Sequence, residues 1–353
     1  MNERFQWMLT WLETLPLLQG CEVSHPVAAS NDASFRRYFR IDVKNPELDP
    51  NSKTSIAKSY IIMDAPPEQE NCEPFIAVSN QLVNMGLQVP KVIAQNLDQG
   101  FLLLSDLGST TYLSILHSAS ESTADGLYQD ALNALVTLQV QGKEAAKNLP
   151  AYNAELFDVE MNLFSDWLLG THLDMPLSTL EQHTWQKVKQ GLIDSALAQP
   201  QTYVHRDYHS RNLMVTDHDN PGILDFQDAV YGPLTYDAVS LLRDCYIAWP
   251  IEQVREWQRS YFLKLCDHKL IAKDEWNGFV KAMDLMGVQR HLKASGIFAR
   301  LYHRDGKDGY LNDIPLTLNY IVQVGALYPE LLWLVDIIEK RVLTHTLLQK
   351  ESA

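Results

Sequence analysis

Between Thr202 and Val215 the chain reads TYVHRDYHSRNLMV, with charged and amide side chains gathered between two apolar ends. Asp207 is followed five residues later by Asn212, and thirteen residues beyond that Asp225 closes the apolar run Ile223-Leu224. This is the spacing that phosphoryl transfer uses. One carboxylate orients the attacking hydroxyl and takes its proton, while an amide oxygen and a second carboxylate hold magnesium against the nucleotide phosphates. Magnesium takes hard oxygen ligands, which this pair supplies. Asp207 is therefore the candidate base, and Asn212 and Asp225 the candidate metal ligands. A charged surface hairpin beside an unrelated Asp-Phe pair would need these residue types to fall in order by accident. His205 is expected to pack and hydrogen-bond the loop, and His209 either to face the nucleotide or to cap the turn. Asp237 falls in the first turn of a helix opened by GPLTYDAVSLLRD. A carboxylate is favoured there by the helix dipole, and it is expected to support the backbone of the loop.

The elements that must position these residues change character along the chain. MNERFQWMLTWLETLPLL reads as an amphipathic helix, interrupted by Glu3, Arg4 and Glu13 and therefore not a signal peptide. HPVAASNDASFRRYFRIDV predicts a hairpin about the small-residue turn SNDAS, running to about Val43. SYIIMDA predicts a strand, residues 68–86 a helix ending at Gly86, and VPKVIAQN and FLLLSDLG two further strands. Residues 110–200 are mostly helical in pattern, a small β patch surrounds the catalytic stretch, and helices resume after Gly232. The expected fold class is α+β. A small β-rich N-terminal lobe spans 1–105, a hinge lies at about 103–108, and a larger, mostly helical lobe spans 106–353. Backbone groups of Leu104 and Ser105 at the hinge are the candidates for pairing with adenine, and Asp106 is expected to fix the turn.

Composition excludes several partners. The 353 residues are 46% apolar and 10% aromatic, enough for a sizeable core, and the formal net charge is −15. That balance argues against nucleic acid, whose binding needs clustered Lys and Arg, and against an anionic membrane surface. The four cysteines, Cys21, Cys72, Cys245 and Cys266, form no CxxC pair, so zinc ligation and a disulfide framework are both disfavoured. No apolar stretch is long enough to span a bilayer. A cytoplasmic enzyme acting on a small molecule, with no obligate protein partner inferred, is the expectation. DFQDAVYGPLTYD passes from the metal acid into the next helix in about a dozen residues, leaving no room for the long segment that docks a polypeptide.

HRDYHSRN, the DFQD that follows and the LLLSDLG hinge resemble the aminoglycoside phosphotransferase (choline-kinase-like) superfamily, from about Ala28 to Val335. The strings DASFRRYFRI, MDAPPE and GIFARLYHRDGKDGYL resemble more closely the bacterial anomeric kinases of that superfamily, which phosphorylate N-acetylmuramate and N-acetylglucosamine at C1 in cell-wall recycling. The resemblance implies a bilobal, protein-kinase-like fold, ATP and Mg2+ as cofactors, and an amino sugar as acceptor. The sequence departs from the superfamily in having Ile62-Met63-Asp64 where a phosphate-gripping lysine is usual, and SNDASF in place of a Gly-rich loop. Cationic compensation for the triphosphate is then expected from Arg36 or Arg37, with Ser34 adding a hydroxyl and Ala33 allowing close backbone approach. Successive strand residues point to opposite faces, so only one of the two arginines is expected to reach phosphate. The missing lysine also raises a nucleotide-binding pseudokinase as an alternative. The retained Asp207, Asn212 and Asp225 weigh against it. For the acceptor, Arg243 and Asp244 follow the metal strand closely, and Arg300 and Arg304 lie four apart on one helix face beside His303. An arginine fork suits the lactyl carboxylate of N-acetylmuramate, and Trp249 is a candidate sugar platform. An aminoglycoside acceptor is the competing enzyme reading. It would suit the acidic balance of the chain but not the cationic FARLYHRDGK cluster.

Overall fold

The structure, a computed structural model, describes residues 3–30, 35–44 and 58–349. It divides into two compact units, Met1–Ser109 with Met214–Gln227, and Thr110–Leu213 with Asp228–Ala353. The range 106–353 expected for the helical lobe is thus interrupted, because Met214–Gln227 clusters with the first unit.

The first unit is built on an antiparallel sheet. Its strands are β1 (Glu22–Val23), β2 (Val27–Ser30), β3 (Arg37–Lys44), β4 (Lys58–Asp64), β5 (Val92–Asn96) and β6 (Phe101–Ser105), in the order β1-β3-β4-β6-β5 with β2 also paired to β3. Alternation along the strands turns Ile41 and Val43, Tyr60 and Ile62, and Phe101 and Leu103 into one core. The amphipathic helix α1 (Glu3–Glu13) brings Met8, Trp11 and Leu12 to that core, and Trp11 stacks on Phe101 with centroids 5.8 Å apart. The helix expected over 68–86 is α2 (Glu73–Asn84). It starts later than its apolar pattern because Pro66 and Pro67 precede it and Pro74 occupies its first turn, where a missing N–H costs nothing. Gly86, with φ of 82°, takes the left-handed conformation that ends the segment.

The second unit is mostly helical. It contains α3 (Tyr112–Leu116), α4 (Glu121–Gln141), α5 (Lys143–Ala146), α6 (Ala154–Leu163), a π-helical segment (Phe164–His172) and α7 (Thr179–Leu197). Side-chain caps start several of these, and Ser178 with Glu181 forms a full capping box on α7. Strand β7 (Gln201–Val204) then leads into the catalytic stretch, β8 (Leu213–Met214) straddles the boundary between the units, and β9 (Gly222–Ile223) belongs to the first. Strand β10 (Val230–Pro233) returns to pair antiparallel with β7. After it come α8 (Tyr236–Leu242), α9 (Ile251–Asp267), α10 (Trp276–Asp305), α11 (Ile314–Gly325), α12 (Leu332–Ile337) and α13 (Thr346–Gln349). The long α10 is the spine of this unit. At Gly296 a Cβ would fall 2.2 Å from the carbonyl carbon of Leu163, so only glycine lets α10 lie against the end of α6. Among the described residues no helix is long and apolar enough to cross a membrane.

Candidate active site

The loop after β7 is held from below by two buried acids. Asp237, in the first turn of α8, accepts the backbone N–H groups of His205 at 2.7 Å and Arg206 at 3.0 Å. Asp244 accepts both the N–H of Ser210, at 2.9 Å, and its hydroxyl, at 2.6 Å, and through its other oxygen the N–H of Tyr246 at 3.1 Å. Asp237 lies at the start of α8 and Asp244 just past its C-terminal end. Burial pushes the Asp237 carboxyl up to about 6, against the pull of His205 and of the two N–H donors. Further bonds fix the loop internally. Asp207 N–H donates to His205 Nδ1 at 3.2 Å, Asn212 N–H to the His209 carbonyl at 2.9 Å, and Tyr208 Oη to the Ala131 carbonyl at 2.8 Å.

These bonds hold a backbone that would not persist alone. Arg206 sits at φ of 78°, in the left-handed region that disfavours a long side chain. Its guanidinium is anchored on Glu160 at 2.6 Å, and Lys293 reaches the same carboxylate at 3.0 Å. Tyr152 donates to Glu160 as well. Asp207 feels this charge. Burial pushes its carboxyl up, but nearby positive charge, Lys293 first and Arg290 with it, outweighs that and holds it below the usual carboxylate value. It is therefore an anion at neutral pH, the state a proton acceptor needs. His209 is the reverse case, a buried imidazole lowered to about 4 chiefly by desolvation and hence neutral.

The amide nitrogen of Asn212 donates to the Asp207 carbonyl at 3.0 Å, so the amide oxygen is the opposite end of a fixed group. Asp225, in the first unit, also has a left-handed backbone, with φ of 62°, and its Oδ1 accepts from Gln227 Nε2 at 2.7 Å. An amide oxygen and a carboxylate are each hard oxygen donors of the kind magnesium takes.

The other expected residues are distributed less simply. In the first unit Arg37 lies directly across from Asp64 in the β3–β4 register and pairs with its Oδ2, while Arg4 pairs with Oδ1. Arg36 pairs with Glu70 at 3.1 Å. Ser34 and Ala33 lie outside the described residues. Leu104 is buried in β6, between Ile61 and Val92, and the Ser105 N–H donates to the Lys91 carbonyl at 2.9 Å. Asp106 holds Arg40 at 2.6 Å and caps the turn through Gly108 N–H at 2.9 Å. Burial raises the Asp106 carboxyl, but the hydrogen bond from Arg40 and the other donors prevail and keep it low.

In the second unit, Arg243 is buried and paired with Asp284, whose other oxygen accepts from Tyr328 Oη at 2.7 Å. Asp244 is buried beneath the loop, as described. Arg304 is exposed and paired with the adjacent Asp305 at 2.8 Å. Arg300 is half-buried with no hydrogen bond to its Nε. The structure thus joins Asp244 to the catalytic loop and gives Arg243 and Arg304 carboxylate partners elsewhere. Trp249 donates to Tyr128 Oη at 2.9 Å and meets Trp257 edge-on.

Comparison with known proteins decides the family. Residues 27–275 match the phosphotransferase enzyme family, APH. The chain belongs to this family. An N-acetylmuramate/N-acetylglucosamine kinase of Pseudomonas putida is 47% identical to this phosphotransferase, over 88% of the chain and 86% of the relative. Proteins of the same name from Pseudomonas aeruginosa and Neisseria meningitidis are 42% and 40% identical, covering 94% and 91% of this chain and of each relative. The fold is shared with solved structures. An ADP-bound aminoglycoside phosphotransferase superposes with TM-score 0.53 at 16% identity, over 91% of this chain and 98% of that one. Choline kinase LicA from Streptococcus pneumoniae does so with TM-score 0.58 at 11% identity, over 90% and 99%.

Proposed function

We propose that this phosphotransferase is an ATP-dependent kinase of N-acetylmuramate and N-acetylglucosamine, acting on the anomeric C1 hydroxyl. The observation that carries the reading is that relatives bearing that kinase name are 40–47% identical over about nine-tenths of the chain. The catalytic stretch supports it. Asp207 is held anionic on a loop whose backbone is fixed by Asp237 and Asp244, so the carboxylate can direct an attacking hydroxyl and receive its proton. An anomeric hydroxyl is more acidic than an ordinary alcohol, so a modest base suffices. Asn212 and Asp225 are the residues that would hold magnesium, which when bound neutralises charge on the β- and γ-phosphates.

The triphosphate also needs a cation from the protein, and Arg37 is the better placed of the two candidates. Arg36 is nearly buried where it meets Glu70, whereas Arg37 keeps 40% of its side chain exposed beside Asp64 and can offer its charge to a phosphate. The product class then follows. A sugar 1-phosphate is what a nucleotidyl transferase consumes, consistent with recycling of cell-wall amino sugars.

Phosphorus NMR of purified protein with MgATP and a panel of N-acetylmuramate, N-acetylglucosamine, kanamycin and choline tests this. A sugar 1-phosphate resonance from both amino sugars is expected. Transfer to kanamycin or choline alone, or to none of the four, would refute the assignment.

A further inference from the structure

Arg211 lies four residues after Asp207, inside the catalytic stretch, and is held unlike the arginines around it. Arg206, Arg243 and Arg304 each have a carboxylate within hydrogen-bond distance. The guanidinium of Arg211 instead rests on aromatic rings, with Cζ 3.7 Å from the centroid of Tyr246 and 5.2 Å from that of Tyr310. Its nearest carboxylate oxygen, Asp313 Oδ2, is 3.9 Å away, and among the described residues the guanidinium makes no hydrogen bond. The side chain is 39% exposed, so its N–H edge is accessible.

The support for this stack is rigid. Tyr246 donates its N–H to Asp244, the same buried carboxylate that fixes Ser210, so the ring and the loop are tied to one anchor. Phe298 and His209 pack on Tyr246 at 6.2 and 5.3 Å, and Tyr310 stacks on Phe298 at 5.7 Å. Asp313 Oδ2 is buried without a hydrogen-bond donor, and burial pushes that carboxyl up to about 6 although Arg211 opposes it. A guanidinium stacked on aromatic faces is pre-organised, and it keeps the planar fork that matches a carboxylate with two parallel N–H···O bonds.

We infer that Arg211 reads the lactyl carboxylate of N-acetylmuramate and thereby sets the preference between the two amino sugars. The inference rests on the functional reading above. N-acetylglucosamine lacks the carboxylate, so Arg211 acts on one substrate far more than on the other. Asp313 opposes it, as a carboxylate that competes for the same guanidinium and repels the same ligand.

The test is steady-state kinetics of the wild type and of Arg211→Met, Arg211→Lys and Asp313→Asn with both sugars. Arg211→Met should lower kcat/KM for N-acetylmuramate by about 10- to 100-fold more than for N-acetylglucosamine, mainly through KM. Arg211→Lys should recover part of that, since it keeps the charge and loses the fork. Asp313→Asn should raise the preference for N-acetylmuramate by about 3-fold, a readout that stands even if Arg211→Met does not fold. Equal losses on both sugars in Arg211→Met, or an unchanged or reversed preference in Asp313→Asn, would overturn the inference alone. A wild type that phosphorylates neither sugar would bring down the functional reading and this inference together.

Discussion

The loop His205–Asn212 and the start of β3 at Arg36–Arg40 both concentrate charge, but they are built in opposite ways. In the loop, buried carboxylates from outside the motif hold the backbone, and the side chains of Asp207 and Arg211 carry no part of that support. At the entry to β3, Arg36, Arg37 and Arg40 are each tied through their own side chains to Glu70, Asp64 and Asp106. The first arrangement separates the scaffold from the chemistry. The second makes Arg37 serve both, as a partner of Asp64 and as the cation proposed for the triphosphate. The difference teaches which substitutions will read as catalytic and which as structural.

The largest effect is expected from Asp207→Asn. It removes the proton acceptor without touching the bonds that hold the loop, so kcat should fall about 10^3-fold while nucleotide affinity and melting temperature hold. A variant that melts early would show that the loop does not separate the two jobs. Next comes Asp237→Ala, which strands two backbone N–H groups beneath a left-handed Arg206. A loss of about 3 kcal/mol in urea unfolding is expected, with about half of it in Asp237→Asn, which keeps one acceptor oxygen. Unaltered stability would mean that Asp237 does not carry the loop. Smallest is Arg37→Ala on the β3 side. Asp64 keeps Arg4 as partner, so stability should change by less than about 1 kcal/mol, while KM for ATP rises about 10-fold. An unchanged KM would return the arginine to a purely structural role and sharpen the contrast with the loop.

Much of this was legible in the chain because it is local. The Asp-x4-Asn spacing and the later Asp225 are read directly as candidates, since such chemistry needs base and metal ligand close together. Strand alternation gives β3, β4 and β6, and Gly86 and Pro74 bracket α2 through backbone geometry that any sequence obeys. Even Asp237 is foreseeable as a support, because its place in a helix first turn follows from the GPLTYD pattern. The pairing of Arg304 with Asp305, the very next residue, was equally local, but it is read only once the neighbour of an arginine on a helix face is weighed.

What the sequence determined by itself is therefore the reaction class, the fold class and the candidates for the reacting residues, all of which depend on spacing within a few turns of chain. What only the tertiary structure decided is which charges already have partners. Arg4 meets Asp64 across 60 residues, Arg243 meets Asp284 across 41, and Arg211 finds its aromatic bed in Tyr246 and Tyr310 instead of a close carboxylate. The reason is physical. A side chain's availability depends on desolvation and on partners brought by folding from distant segments, and neither leaves a mark in the local order of residues.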